Sequence, residues 1–431
     1  MSCNNMPSTP SHFPRNPPAM NLSILLILLL CLLQTACGGG GTSPASATPV
    51  ATAPTPVPPI AISNTQDLVI DAGPANTVNT LFTSVTICEP GNPTACQTID
   101  HVQVDTGSVG LRLLSSVVQP SLRLPQKNAP GGGALVECTQ FADGFSWGPV
   151  KTADVRLAGQ TATAVPIQII GDDAFAAVPA DCSSSGPAEN TVSDFGANGV
   201  LGIGHFTNDC GSSCVTSSAQ GLYYACGSTG CVPTTVAAIQ QVQHPVAMMT
   251  TNNNGVLLRL PAVAEPGAKT TSGVMILGIG TQSNNALGTA KVYTVDPFNG
   301  TLTILLGGKA YPGSFIDSGS NGYFFPSNTR VCNSGFYCPP STVTFNTVIQ
   351  GKNGANAAFS FNIANADTLF SSYPNFTVLP SLGGIGFNAT TVDLGIGFYL
   401  GRSVLSVNHR SRRGEFLDLL LTVRIFRSPQ G

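Results

Sequence analysis

Residues 101–114, HVQVDTGSVGLRLL, and residues 313–326, GSFIDSGSNGYFFP, are two copies of one pattern. In each copy, apolar residues lead into an aspartate, which is Asp105 in the first and Asp317 in the second. A small hydroxylic residue, a Gly, a Ser, a variable residue and a second Gly follow each aspartate. The pattern predicts a strand that carries a carboxylate into a tight turn, after which a second apolar strand departs. The predicted turn residues are Thr106, Gly107 and Ser108 in the first copy and Ser318, Gly319 and Ser320 in the second.

The duplication carries more weight than either copy alone. One such tetrapeptide arises by chance in roughly one chain in a hundred of this length at average residue usage. Two copies with matching apolar flanks indicate repeated structural units that each contribute a carboxylate. The alternative interpretation is a pair of structural Asx-turns in a repeat protein.

Composition favours a β-rich chain and argues against nucleic-acid binding. The 431 residues are enough for two domains or one large two-lobed domain. Val, Thr, Ile and Phe occur in short runs broken by Gly, Asn, Ser and Pro, which is typical of strands and turns. The net charge of −3 and the absence of a basic stripe argue against a nucleic-acid partner.

The paired motifs resemble those of the two-lobed, pepsin-like aspartic proteases, in which each lobe supplies one D-T/S-G loop. Further segments follow the order of that family: a flap-like hairpin at 141–159, apolar-apolar-Gly elements at 199–204 and 394–404, and a strand opening the second lobe at 272–280. The resemblance covers roughly residues 65 to 408. It implies an all-β fold of two lobes with pseudo-two-fold symmetry, and we place the lobes at 63–265 and 266–408.

The resemblance also implies an activity. Asp105 and Asp317 would share one proton and activate a water for peptide hydrolysis, with the turn hydroxyls orienting the carboxylates and the turn glycines supplying the geometry. Neither aspartate can be assigned a private role from the sequence, because the two titrate as a pair. The expected substrate is a peptide or protein, no cofactor or metal is needed, and the chain is expected to be a monomer.

Three features depart from the family pattern. Phe141 stands where the family has a flap tyrosine, so the flap hydroxyl is missing. Gly144 and Trp147 belong to the same predicted flap, and Trp147 is the alternative candidate for the flap aromatic. Asp393 stands where the second apolar-apolar-Gly element expects an aliphatic residue. No long charged propeptide precedes the core. A pepsin-like scaffold without proteolysis, used as a cell-surface binding or structural lipoprotein, is therefore the alternative function.

The N-terminal region predicts export. Residues 1–37 contain a Leu/Ile run of signal-peptide length that ends in LQTAC, which resembles a bacterial lipobox with Cys37 as the lipidated residue. Gln34 departs from the usual aliphatic residue, so a plain secretory signal is the alternative. Residues 38–62 are rich in Gly, Ser, Ala, Thr and Pro and predict a flexible tether. We therefore expect a lipid-anchored protein of the bacterial cell envelope, in the outer membrane or periplasm.

Ten cysteines follow Cys37, an even number that favours five disulfides in an exported protein. Zinc is the competing interpretation, but the spacings do not match the usual C-x2-C pairs. The pairs expected from proximity in sequence, with the remaining two cysteines as the fifth, are Cys88–Cys96, Cys210–Cys214, Cys226–Cys231, Cys332–Cys338 and Cys138–Cys182.

Two further segments of the sequence are not explained by the resemblance to the pepsin-like proteases. Residues 144–148, GFSWG, match the G-x-S-x-G pattern of serine hydrolases, which requires a strand before the serine and a helix after it. The polar residues before this segment and Pro149 after it indicate a chance match within a hairpin. The basic tail at 409–431 has no counterpart in the resemblance.

Overall fold

The apolar runs beside both Asp motifs form strands in a computed structural model of the chain, which describes residues 63–408 and the backbone of residues 420–425. The predicted signal segment, Cys37, the tether and most of the basic tail lie outside the described residues. Among the described helices, none is long and apolar enough to cross a membrane.

Strands dominate the described part of the chain. They are β1 Thr65–Ile70, β2 Leu81–Cys88, β3 Cys96–Asp105, β4 Val109–Leu114, β5 Ala134–Gln140, β6 Phe145–Leu157, β7 Gln160–Ile170, β8 Gly199–Ile203, β9 Tyr223–Gly227, β10 Gly230–Pro233, β11 Gly255–Arg259, β12 Thr271–Leu277, β13 Lys291–Thr294, β14 Leu302–Leu306, β15 Lys309–Ile316, β16 Tyr323–Phe325, β17 Val343–Gln350, β18 Asn356–Ile363, β19 Gly383–Ile385, β20 Asp393–Leu394, β21 Arg402–Val407 and β22 Leu420–Ile425.

The helices are short and lie between strands. The α-helices are α1 Ala180–Ser183, α2 Val192–Phe195, α3 Ser212–Thr216 and α4 Ala366–Ser372. Single turns of 3₁₀-helix lie at Ser115–Val117, Asp173–Phe175, Ala238–Gln240, Val246–Met248, Ser283–Asn285 and Ile396–Phe398.

The described strands form two hydrogen-bonded sheets. One runs in the order β10-β9-β5-β6-β7-β4-β8-β3-β2-β1-β12-β11-β21-β22-β13, and the other in the order β18-β17-β14-β15-β20-β16-β19. The first sheet contains strands from both predicted lobes. Its strand β22, from the basic tail, lies between β13 and β21, which the sequence did not predict.

Each Asp motif is built into the same local arrangement. In the first half, β8 pairs in parallel with β3, which ends at Asp105, and antiparallel with β4, which leaves the turn. In the second half, β20 pairs in parallel with β15 and antiparallel with β16 in the same way. The predicted all-β fold with two related halves is therefore confirmed, and both apolar-apolar-Gly elements lie beside their Asp loops as expected.

The strands β4 and β8 are covered on both faces, which restricts their conformation. All residues of β4 and β8 are buried, which explains why they read as continuous apolar runs instead of alternating. Gly202 and Gly395 lie where each strand passes the Asp loop. A β-carbon at Gly202 would lie 2.5 Å from the Val109 nitrogen, and one at Gly395 would lie 2.2 Å from the Gly322 oxygen. Only glycine fits at these crossings.

The five predicted disulfides are all present in the structure. Two of them clip turns between adjacent strands: Cys88–Cys96 joins β2 to β3, and Cys226–Cys231 joins β9 to β10. Cys138–Cys182 fastens β5 to the helix α1. Disulfide bonding of these cysteines excludes them as zinc thiolates.

A buried charge network joins the strand after Asp105 to the strand that enters the flap hairpin. Arg112 is 2% exposed, and its Nη2 donates to Glu137 Oε1 at 2.7 Å and to Asp209 Oδ2 at 3.0 Å. Its Nε donates to Thr139 Oγ1 at 2.8 Å, and the Tyr223 hydroxyl donates to Asp209 Oδ1 at 2.7 Å. Burial by itself lowers the pKa of Arg112, but the charges of Glu137 and Asp209 together raise it by more than burial lowers it. The guanidinium therefore stays charged.

Replacing this arginine should destabilise the protein strongly. Arg112→Met leaves two buried carboxyls without their cation, so we expect the free energy of unfolding to fall by about 3–5 kcal/mol. Lys151→Met is the matched control, because Lys151 pairs with Asp172 nearer the surface and such a pair contributes about 0–1 kcal/mol. Urea unfolding of both variants measures the difference. Equal unfolding midpoints would contradict the stabilising role of the network.

Candidate active site

The two aspartates lie at the ends of corresponding strands. Asp105 is the last residue of β3 and pairs in parallel with Gly202 of β8. Asp317 follows β15, and its amide donates to the Leu394 oxygen of β20 at 3.1 Å. The duplicated strand pairs therefore hold both turns in fixed positions.

Within each turn, the backbone closes on the carboxylate. The amide of Gly107 donates to Asp105 Oδ1 at 2.6 Å, and the amide of Gly319 donates to Asp317 Oδ1 at 2.8 Å. The serines differ between the halves. Ser320 Oγ donates to Asp317 Oδ2 at 3.0 Å, whereas Ser108 Oγ is buried without a hydrogen-bond partner among the described residues.

The two turns are fastened to each other by their hydroxylic residues. The Thr106 amide donates to Ser318 Oγ at 3.1 Å, and the Ser318 amide donates to Thr106 Oγ1 at 3.0 Å. Ser318 Oγ also donates to the Val104 oxygen at 2.8 Å, while Thr106 Oγ1 lies 3.4 Å from the Ile316 oxygen. This reciprocal set satisfies buried amides and carbonyls of both turns at once.

The turn glycines allow the two carboxyl groups to meet. A β-carbon at Gly319 would lie 2.6 Å from Asp105 Oδ1, and one at Gly107 would lie 2.8 Å from Asp317 Cγ. Each turn thus packs its glycine against the opposite carboxyl. Both carboxyl groups are buried, because Asp105 is 6% exposed and Asp317 is 4% exposed.

This contact changes the acidity of the pair. Burial, followed by the charge of Asp105 and a hydrogen bond with it, raises the pKa of Asp317 well above its ordinary value. Two carboxylates in contact cannot both stay ionised in a buried site, so the pair retains one proton as pH rises past the ordinary range for aspartate.

A third carboxyl lies beside the pair. Asp393 is fully buried, and neither of its oxygens has a hydrogen-bond partner among the described residues. Burial and then the charge of Asp317 raise the pKa of Asp393 well above its ordinary value. The sequence marked Asp393 as a departure, but only the structure shows that it faces the site.

Tyr399 is a site residue that the sequence did not identify. Its hydroxyl lies 2.8 Å from Thr106 Oγ1, with either oxygen able to donate. Tyr399 is fully buried and lies within the predicted second apolar-apolar-Gly element at 394–404. No motif in the sequence links position 399 to position 106, because the contact joins the two halves of the chain.

The predicted flap hairpin is present between β5 and β6, with the Phe141 amide donating to the Gly144 oxygen at 2.8 Å. Phe141 is half-buried, and its ring packs edge-on against Phe195 at a centroid distance of 5.7 Å. Phe141 contributes no hydroxyl to the site.

Trp147, the other candidate flap aromatic, is a core residue. It is 2% exposed, its Nε1 donates to the Phe175 oxygen at 2.7 Å, and its ring packs edge-on against Tyr224. The neighbouring Ser146 is fully buried within β6 and donates to the Glu189 oxygen. That position lies inside a strand, which does not fit a nucleophile elbow.

The structure therefore brings Asp105, Asp317 and their turn residues together and leaves Trp147 away from them. Two carboxyls that share a proton can together accept one proton and donate another, which is what acid–base activation of a water requires. Backbone amides and a serine hydroxyl hold the carboxyl oxygens in place.

The reciprocal hydrogen bonds should couple the two turns energetically. Thr106→Val and Ser318→Ala each leave a buried amide of the other turn unpaired, at a cost of about 1–3 kcal/mol. The double variant should lose less than the sum of the single losses, because both changes break the same network. Urea unfolding of the four proteins measures the coupling. Thr344→Val, which removes an exposed hydrogen bond to Asn362, is the control. Strict additivity of the two site variants would refute the coupling.

Comparison with solved structures finds similarity to the crystal structure of an aspartic proteinase from Irpex lacteus. The TM-score is 0.49 at 11% sequence identity, over 84% of this chain and 97% of that one. No curated protein matches the chain. Residues 61–415 match the model of a family described as protein of unknown function (DUF3443), and the chain therefore belongs to this family.

Proposed function

We propose that the chain is an exported aspartic endopeptidase that hydrolyses peptide bonds through a water activated by Asp105 and Asp317. The observation that supports this most is the contact of two buried carboxyls, each held by its own turn and each facing the glycine of the other. A structural Asx-turn needs no carboxyl partner, so the pairing favours chemistry over turn formation alone.

The reaction follows from the shared proton. The ionised carboxyl takes a proton from water as the water oxygen bonds to the peptide carbonyl carbon, and the protonated carboxyl donates to the carbonyl oxygen. Proton transfer to the amide nitrogen then allows the carbon–nitrogen bond to break. A carboxylic acid and an amine leave, and the pair again holds one proton.

A binding or structural role on the same scaffold is the alternative. The observation that favours it is Phe141, which gives the flap hairpin no hydroxyl to place over the carboxyl pair. On that interpretation the two Asp turns would be retained for stability or for holding a ligand, without turnover.

We further propose that the protein is lipid-anchored in the bacterial cell envelope through Cys37. The LQTAC sequence at the end of the apolar run supports the anchor, and the five disulfides of the folded part support an oxidising compartment. The peptide or protein substrate would then be encountered outside the cytoplasm.

Asp105→Asn and Asp317→Asn should each reduce kcat by at least about 100-fold on a peptide library, because an amide can neither accept the proton of water nor share one with its partner. Their effects should be non-additive, since the pair acts as a unit. Wild-type activity should give a bell-shaped pH profile with its optimum on the acid side. Statine peptides of the pepstatin type, whose hydroxyl mimics the tetrahedral intermediate, should inhibit.

The control is Asp67→Asn, an exposed carboxylate of β1, which should retain full activity. Circular dichroism and thermal unfolding should show that the Asn variants of the pair remain folded. If the folded wild-type protein cleaves no peptide and binds no statine inhibitor between pH 2 and 8, the protease proposal fails and the scaffold alternative stands.

Mass spectrometry of the mature protein should find an acylated N-terminal Cys37 and no free thiols among the ten later cysteines. Cys37→Ser should release the protein from the membrane fraction, because the acyl chains are the anchor. A mature chain that begins elsewhere, or reduced cysteines in material recovered from the cytoplasm, would contradict the export proposal.

A further inference from the structure

A tyrosine side chain joins the two Asp turns in addition to their reciprocal hydrogen bonds. The Tyr399 hydroxyl lies 2.8 Å from Thr106 Oγ1, although the two residues are 293 positions apart in the chain. Tyr399 belongs to the second half of the site, and Thr106 directly follows Asp105 in the first half. The contact therefore crosses between the halves beside one of the two carboxyl groups.

The backbone that carries Tyr399 is bound to the second Asp turn. A single turn of 3₁₀-helix at Ile396–Phe398 follows the glycine that crosses this Asp turn, and its first amide donates to the Ser320 oxygen at 2.8 Å. The Tyr399 amide closes the 3₁₀ turn by donating to the Ile396 oxygen at 2.9 Å. Tyr399 thus connects the second Asp turn, through its backbone, to the first Asp turn, through its side chain.

The donor in this contact follows from a count of hydrogens and lone pairs. Thr106 Oγ1 has two lone pairs, and one of them already accepts the Ser318 amide at 3.0 Å. The Tyr399 hydroxyl is fully buried and has no other hydrogen-bond partner among the described residues. A buried hydroxyl hydrogen without an acceptor is unfavourable, so Tyr399 donates to Thr106. Both lone pairs of Thr106 Oγ1 are then used by groups of the second half.

The corresponding hydroxyl of the second turn is held differently. Ser318 Oγ accepts from the Thr106 amide at 3.1 Å and donates to the Val104 oxygen at 2.8 Å, and both of these partners are backbone groups. In the described part of the chain, only the Thr106 hydroxyl also binds a side chain from outside the duplicated motif. The contact between the turns is therefore asymmetric, although the two motifs are alike.

We propose that Tyr399 is a positioning residue, which holds Thr106 Oγ1 against the second Asp turn and thereby keeps the two carboxyl groups in contact. The inference rests on the proposed function in so far as that contact serves catalysis. Tyr399 itself does not reach a substrate, because its side chain is fully buried. It acts through Thr106, whose backbone continues directly from Asp105.

The titratable groups that act on the Tyr399 hydroxyl are Asp317, Asp105 and Asp393. Burial raises the pKa of Tyr399 well above its ordinary value, so the phenol keeps the hydrogen that it donates. Two carboxyls in contact titrate in two separated steps, and the separation becomes smaller as the groups move apart. The separation of the two apparent pKa values therefore measures the contact that Tyr399 holds.

The test is a pH titration of the full chain, followed by ¹³C NMR of carboxyl-labelled aspartate and assigned with the Asp→Asn variants of the pair. Tyr399→Phe removes only the hydroxyl, so the carboxyl groups should move apart and the higher apparent pKa of the pair should fall by about half to one unit. Tyr337→Phe is the matched control, because this buried tyrosine donates to the Phe325 oxygen, outside both Asp turns. The control should leave both pKa values of the pair unchanged.

Thr106→Val removes the same hydrogen bond from its other end. It should lower the higher pKa as well, and adding Tyr399→Phe to it should change nothing further, because the tyrosine then has no partner to act through. A further shift in the double variant would mean that Tyr399 acts on the carboxyls directly. An unchanged pKa in Tyr399→Phe, or in Thr106→Val if Tyr399→Phe does not fold, would mean that the contact does not depend on this bond. Either result overturns the proposal.

Activity provides an independent measurement. Tyr399→Phe should lower kcat about tenfold and leave KM within about twofold, because displaced carboxyls slow the reaction while the substrate-binding surface is unchanged. Tyr337→Phe should keep both constants, and a loss confined to KM in Tyr399→Phe would contradict a positioning role. If the wild type neither cleaves peptides nor binds statine inhibitors, the proposed function fails, and the NMR titration still decides whether Tyr399 holds the carboxyls together.

Discussion

The structure depends on keeping two acidic side chains in contact inside the protein. Desolvation and like charge both make this contact unfavourable. The unfavourable free energy is reduced because the pair keeps one proton and accepts hydrogen bonds from the turn amides. The reciprocal hydrogen bonds between Thr106 and Ser318 hold one turn against the other. The Gln103 side chain adds a further bond between the halves, because its Nε2 donates to the Gly319 oxygen at 2.8 Å.

The duplicated halves explain how such a contact can be built from separate segments of one chain. Each half uses three corresponding strands, which are β3, β8 and β4 in the first half and β15, β20 and β16 in the second. In each half the middle strand passes the Asp turn at a glycine, so each aspartate is presented in the same orientation. Where two such turns face each other, the glycine of one meets the carboxyl of the other. The halves then diverge in detail, and the buried carboxyl of Asp393 and the ordered hydroxyl of Ser320 both belong to the second half.

A second group of buried charges lies near the first. Arg112, three residues beyond the start of the strand that leaves the Asp105 turn, binds Glu137 on the strand that enters the flap hairpin and Asp209 beyond β8. Burial, followed by the charge of Glu137 and a hydrogen bond with it, raises the pKa of Asp209 well above its ordinary value. The network links the flap hairpin, the strand after the Asp105 turn and the cysteine-rich segment through directional hydrogen bonds. Apolar contacts alone would allow these segments to slide against each other.

The sequence by itself determined the all-β class, the two Asp turns, the elements that flank them and the five cysteine pairs. These features depend on local rules: apolar strand patterns, turn residues such as Gly107 and Gly319, and cysteines near each other along the chain. Only the tertiary structure decided that Trp147 lies in the core, that Tyr399 bonds to Thr106, and that Arg112 and Asp393 are buried beside other charges. Those contacts join residues tens to hundreds of positions apart, and the meaning of a charged side chain depends on which groups surround it after folding. A buried Asp without a partner and an exposed Asp in a turn look the same in sequence, because burial and charge pairing are properties of the packed chain.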